Sequence, residues 1–320
     1  MKRLIAAALV FLASMPIFAQ EEGFPNLKPK GIPRMAKVVE FRAPEQSGAK
    51  KTAELEEIMH VRYCNRDDYP LYMNIFRPKG EKGLLPCLMF MPGSAWLKQN
   101  IDAAGFFARS MAARGYVVAM VEYRPCDFAL FPAPVEDSKT AVRFLRKNAR
   151  KYGIDTENIF IGGSSSGGHV TEMHAYTQDS DLFDTPLYGK YSCKANALVD
   201  FFGPTEMVQL FNVFDGFGPE DDHHLGGLTL GNPLEEKAEF ARVASPIYYV
   251  HPGIPPTFIA QGDCDGTVPY QQSHWLAQAM ENAGATYEFY RVIGADHGGP
   301  AFDSEEMFDL VDAFLKKYMK

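Results

Sequence analysis

Three serines stand between two glycines in Gly163-Ser164-Ser165-Ser166-Gly167, and only Ser165 has glycine two residues away on both sides. Ser164 and Ser166 each meet a serine where the second glycine would have to be. A serine at the apex of a tight strand-to-helix turn projects its Oγ from the top of a sheet. Any side chain two residues before or after it would collide with that turn. The composition alone would also suit a flexible Gly/Ser loop, so the flanking residues decide. Ile159-Phe160-Ile161 precedes as a β-branched and aromatic run, and Val170-Thr171-Glu172-Met173-His174-Ala175 follows with helical character. Strand, turn and helix form the setting of a nucleophilic serine, and Ser165 is its candidate.

A serine hydroxyl attacks only with a base to take its proton and an acid to orient that base. Where the serine sits on such an elbow, the chain order is serine, acid, histidine. Of the eight histidines, His297 in Gly294-Ala295-Asp296-His297-Gly298-Gly299 follows the last strand-like run and is the candidate base. His169 and His174 fall on the helix after the elbow and read as packing or hydrogen-bonding residues. His223-His224 beside Asp221-Asp222 has metal-ligand chemistry, but an exposed polar loop is the better reading. His60, His251 and His274 have no partner in the sequence. For the acid, Asp263 and Asp265 compete within Gly262-Asp263-Cys264-Asp265-Gly266-Thr267-Val268-Pro269, and Asp200 ends the preceding strand. Position does not choose among the three. The tetrahedral intermediate further needs backbone N–H donors. Ser166 N–H is one candidate, and Gly93 or Ser94 N–H in Met91-Pro92-Gly93-Ser94-Ala95-Trp96 is the other.

These groups converge only if the chain alternates strand and helix. Residues 58–63 and 71–76 read as an antiparallel hairpin about the turn Asn65-Arg66-Asp67-Asp68. Runs at 85–91, 116–121, 159–161, 197–202, 256–261 and 286–292 read as buried strands, with helices at 102–114, 133–151, 271–282 and 305–318. The alternation predicts an α/β fold, a mostly parallel sheet with helices on both faces, and functional groups at the carboxyl ends of its strands. An insert follows the sixth of those strand positions, at residues 203–255. Its aromatics (Phe211, Phe214, Phe217, Phe240, Tyr248, Tyr249) either cap the site or pack a small core of their own.

The 320 residues, 46% hydrophobic and 22% charged, suit one large globular domain. A net charge of −8 argues against nucleic acid or an anionic membrane surface as partner. Lys2-Arg3, the apolar run to Phe18 and Ile17-Phe18-Ala19 read as a signal peptide over residues 1–19, cleaved near Ala19, with no stable membrane insertion of the mature chain. Residues 20–54 then form an exposed or partly ordered leader, and 55–320 the catalytic domain. The five cysteines show no disulfide framework and no zinc pair, and no cofactor or metal is called for.

From about Val61 to Tyr318 the chain resembles the α/β-hydrolase fold, in the carboxylesterase/lipase branch that includes bacterial feruloyl and acetyl-xylan esterases. The landmarks are Pro92-Gly93-Ser94-Ala95-Trp96, Glu122-Tyr123-Arg124-Pro125, the elbow with Gly168-His169, Ala244-Ser245-Pro246, and the two loops that hold Asp265 and His297. The resemblance implies that the second aspartate of the G-D-x-D-x-x-V-P loop, Asp265, is the acid. It also implies hydrolysis of carboxylic esters through an acyl-serine, and together with the export signal and the acidic pI it favours carbohydrate-linked acetyl or feruloyl groups or similar small-molecule esters. Two departures stand out. The family's His-Gly-Gly-Gly-Trp oxyanion turn is Pro92-Gly93-Ser94-Ala95-Trp96 here, without the histidine that braces the loop, and position 166 is usually alanine. The alternatives are a serine peptidase of the prolyl-oligopeptidase type and a non-catalytic hydrolase-fold binding protein.

Overall fold

The computed structural model of the chain describes residues 35–44, 52–103, 105–213 and 240–320. The signal segment, His223-His224 and the acidic run beside them, Phe214 and Phe217 lie outside the described residues.

The chain enters through β1 (Val38–Phe41), then runs through the hairpin β2 (Leu55–Arg66) and β3 (Tyr69–Pro78) to β4 (Leu85–Met91). Helix α1 (Gly105–Ala112) leads to β5 (Val117–Val121), and α2 (Ala133–Lys147) with the short α3 (Ala149–Tyr152) leads to β6 (Ile154–Ser164). Helix α4 (Ser166–Tyr176), β7 (Leu198–Phe201), α5 (Met207–Val213), β8 (Thr257–Gly262), α6 (Gln271–Ala283), β9 (Tyr287–Val292) and α7 (Glu305–Lys316) follow. The strands form one nine-stranded sheet in the order β1-β9-β8-β7-β6-β4-β5-β3-β2. Pairing is parallel from β1 through β5 and antiparallel at β5–β3 and β3–β2. The carboxyl ends of β4, β6, β7, β8 and β9 therefore share one edge.

Strand periodicity divides the core into two layers. Met89, Met91 and Ile161 point to the face covered by α2, α4 and α6, where Val135, Val142, Leu145, Val170, Met173 and Leu276 are buried. Leu88, Phe90 and Phe160 point to the other, where Phe107 and Met111 of α1 meet Phe308, Val311 and Phe314 of α7. β5, β7 and β8 are buried along their whole lengths, which is why they read as unbroken apolar runs.

Three details differ from the sequence expectation. The hairpin turn is the pair Asp67-Asp68 alone, both at positive φ, while Asn65 and Arg66 stay in β2. Such a turn matches the twist of the strands it joins. Strand β1 lies inside the stretch read as leader. Its four residues are largely exposed, so no apolar pattern marks it, and pairing with β9 is what holds it. Counting β1, the insert follows the seventh strand. The insert's Phe240 and Tyr249 neither cap the sheet edge nor form a separate core. They are buried in the main core, 5.9 Å from Phe131 and 6.1 Å from Phe183 between ring centroids.

Candidate active site

β6 delivers the chain to Ser165 and α4 carries it away. Ser165 has φ 53° and ψ −126°, in the left-handed half of backbone space that costs a residue with a Cβ on the order of 1 kcal/mol or more. The elbow is tight enough to explain its glycines. A Cβ on Gly163 would lie 2.3 Å from the Gly167 carbonyl, and one on Gly167 would lie 2.0 Å from Met91 O. Ser165 N–H donates to Phe201 O at 2.9 Å, which ties the elbow to β7.

Ser165 Oγ is 2.9 Å from His297 Nε2, and His297 Nδ1 is 2.7 Å from Asp265 Oδ2. An ionised carboxylate only accepts, so Nδ1 carries the ring proton and Nε2 presents a lone pair to the serine O–H. The Asp265 side chain is 0% exposed, and each of its oxygens is satisfied. Oδ1 accepts the N–H groups of Thr267 and Val268, and Oδ2 also accepts Gln261 Nε2 at 2.7 Å. Asp263, the competitor in the same loop, faces away. Its carboxylate accepts from Arg291 and from Gly294 N–H, fastening the β8 loop to the end of β9. Asp296 Oδ1 does similar work, accepting Gly266 N–H and His297 N–H. Asp200 does not reach His297; it is buried beneath the elbow helix.

The loop after β4 lies against the elbow in a way the sequence did not foretell. Gly93 N–H donates to Ser164 Oγ at 3.1 Å and Ser94 N–H to Ser166 Oγ at 2.9 Å, so both candidate donors from this loop already have hydroxyl acceptors. Ser166 N–H, at the first position of α4, has no acceptor within the helix. Ala95 and Trp96 take φ 54° and 58°, so at Ala95 a residue with a Cβ atom makes the turn where the family ordinarily uses glycine. The loop is braced from the elbow helix. Trp96 Nε1–H donates to His169 Nδ1 at 3.0 Å, which leaves the proton on Nε2 to be donated to Ala244 O at 2.7 Å. Burial pushes His169 down to about 4, so the imidazole stays neutral and keeps that tautomer. A second brace is the Tyr123 phenol, 3.1 Å from Ser94 Oγ and 3.0 Å from Ser166 Oγ.

Other singled-out residues have structural partners. His174 is buried between Ser138 Oγ and Cys193 O, as a packing histidine should be. His60 has a partner after all, with Nε2 3.2 Å from the Asp102 carboxylate. All five cysteines are free thiols, four buried and Cys264 exposed. Two site residues escaped the sequence reading. Phe202 lays its ring 4.5 Å from that of His297, and Tyr123 was noted only as part of a landmark. The available signal for Phe202 was an aromatic pair, Phe201-Phe202, at the end of a buried strand.

The BD-FAE family model matches residues 73–280. The chain is 27% identical to the esterase LipC of Mycobacterium tuberculosis over 286 residues, covering 86% of this chain and 66% of LipC, so it spans about two thirds of that relative's length. Among solved structures, a truncated carbohydrate esterase from gut microbiota superposes with a TM-score of 0.75 at 28% identity, covering 86% of this chain and 99% of that one. The butyrate-bound Est2 esterase of Thermogutta terrifontis does so with a TM-score of 0.66 at 25% identity, covering 83% and 94%.

Proposed function

The chain belongs to the BD-FAE family, and from that premise we propose that it is an exported serine carboxylesterase acting on carbohydrate-linked acetyl or hydroxycinnamoyl (feruloyl) esters. One observation carries the reading: Ser165, His297 and Asp265 lie in an unbroken hydrogen-bonded line. The carbohydrate side is supported by the gut-microbiota esterase to which the chain is similar. Export is supported by the apolar segment after Lys2-Arg3. No helix among the described residues is long and apolar enough to cross a membrane.

In this mechanism His297 Nε2 takes the Ser165 proton as Oγ attacks the ester carbonyl carbon. Asp265 stays ionised and holds the resulting imidazolium. The carbonyl oxygen, now an oxyanion, accepts from Ser166 N–H at the positive end of α4 and from the loop after β4. Collapse breaks the C–O bond to the alcohol, which leaves with the proton from His297. Water, deprotonated by the same Nε2, then attacks the acyl-serine, and the bond to Oγ breaks as Nε2 returns the proton to Ser165 and the acid leaves. General base catalysis of this kind contributes about a hundredfold to ten-thousandfold.

The Ser166 hydroxyl competes with the oxyanion for Ser94 N–H. Ser166→Ala is therefore expected to raise kcat, by about three- to tenfold. That is less than the hundredfold or more a complete donor supplies, because the same change removes the acceptor that orients Ser94. Steady-state kinetics on a short-chain aryl ester measure it, and an unchanged or lower kcat would show that this N–H is not limiting.

The proposal is tested with a panel of acetylated xylan, methyl ferulate, short-chain aryl esters and proline-containing peptide amides. Release of acetate or ferulate is expected, with no amide cleavage. Preferential amide cleavage would support the prolyl-oligopeptidase-type peptidase, and inertness on every substrate would support a binding protein.

A further inference from the structure

The exit of β7 touches both reacting residues, Ser165 at its backbone and His297 at its ring, although none of its own residues belongs to the triad. Phe201 O accepts Ser165 N–H at 2.9 Å. Phe202 packs on His297 and is itself wedged edge-on by Phe302 at 4.8 Å. To do so Phe202 takes φ 45°, a strained conformation for a bulky residue. The turn that imposes it is closed by Gly203 N–H donating to Asp200 Oδ1 at 3.0 Å. The carboxylate fits closely, since a Cβ on either Gly168 or Gly203 would come within 2.4 Å of that oxygen. Behind it, Glu172 of α4 brings its own carboxyl within hydrogen-bonding reach of Asp200. Both residues are 0% exposed. Apart from each other, neither Glu172 oxygen nor Asp200 Oδ2 has a hydrogen-bond partner among the described residues.

We propose that the turn at residues 200–203 is the positioning element of the reaction, with Asp200, backed by Glu172, holding Phe202 against His297 and Phe201 O against Ser165. The inference rests on the esterase reading. It gives Asp200 the role of setting the distance between base and nucleophile from beneath, while Asp265 orients the base from the side.

Two contacting carboxyl groups shielded from water cannot both be charged at low cost. Burial pushes Asp200 up to about 7 and Glu172 well above the usual carboxylate range, with Asp200 adding to the rise of Glu172. The groups facing the pair are Tyr176 from α4, whose phenol interacts in turn with Thr257 of β8, and Gly203 N–H from the turn. Burial drives the Tyr176 phenol further up, so it stays neutral. Because the folded state holds these protons more tightly than the unfolded chain, the stability they contribute is present at acid pH. It declines as pH rises from the ordinary carboxylate range through about 7. Charging both carboxyls loosens the turn that carries Phe202.

The test uses the full chain and a short-chain aryl ester. Asp200→Asn is expected to lower kcat at least tenfold with KM within about twofold. Glu172→Gln presents an N–H donor in place of the carboxyl proton but cannot ionise. It is expected to keep kcat near that of the wild type at neutral pH and to hold it at pH 9, where the wild type declines. Unchanged kcat in Asp200→Asn, or superimposable pH profiles for wild type and Glu172→Gln, overturns the inference. Should Asp200→Asn fail to fold, the Glu172→Gln profile decides alone. A wild-type protein without ester turnover overturns the esterase reading as well, whereas an active wild type with an unaffected Asp200→Asn overturns this inference only.

Discussion

Ser165→Ala is expected to abolish turnover of a short-chain p-nitrophenyl ester, lowering kcat by about a million-fold. Three adjacent serines would ordinarily make such a prediction unsafe, because a neighbour could take over. Here the neighbours are engaged. Ser164 Oγ accepts Gly93 N–H, and Ser166 Oγ accepts Ser94 N–H while lying beside Tyr123. Neither is paired with His297, whose Nε2 faces Ser165 Oγ. Alanine keeps the same backbone strain at φ 53°, so the melting temperature should change little, and circular dichroism during heating checks that. Residual turnover above one part in about a thousand would remove Ser165 from its role.

Asp265→Asn is expected to lower kcat by about ten-thousandfold, and Asp263→Asn by less than tenfold. The asymmetry follows from hydrogen-bond polarity. With aspartate, Oδ1 takes Thr267 and Val268 N–H while Oδ2 faces His297 Nδ1 and Gln261 Nε2. An asparagine must keep its oxygen toward the two backbone donors, so its NH₂ faces His297. The imidazole then satisfies that donor only with a lone pair on Nδ1, which moves its proton to Nε2 and turns the base into a donor toward Ser165. Asp263 holds Arg291 and Gly294 instead, and its amide would loosen the loop without changing the tautomer. Comparing kcat/KM for the two variants checks the order, and the reverse result would move the acid to Asp263.

Much of the fold was legible because its signals are local. An unbroken apolar run such as residues 117–121 can only be satisfied by burial on both faces, and β5 is buried throughout. β1 was not legible. Four largely exposed residues carry no burial pattern, and their partner β9 lies some 250 positions away in the chain. Two aromatics of the insert, Phe240 and Tyr249, were hard to place for a related reason, since they look alike in sequence whether they face a cleft or fill the main core.

The site divides the same way. Glycine spacing selects Ser165 because a Cβ on Gly163 would meet Gly167 within the same turn, and chain order selects His297 because both belong to strand ends. The choice of Asp265 over Asp263 and Asp200 is different. Three aspartates at strand ends are equivalent in one dimension, and only the directions of their carboxylates separate them: toward His297, toward Arg291, and down beneath the elbow beside Glu172. The oxyanion loop is the sharpest case. Its position after β4 follows from the alternation of elements. That its N–H groups meet the hydroxyls of Ser164 and Ser166, and that His169 braces it through Trp96, depends on contacts spanning more than seventy residues. Spacing along a chain encodes which backbone shapes are allowed, but hydrogen-bond direction across a site exists only once packing has oriented the side chains.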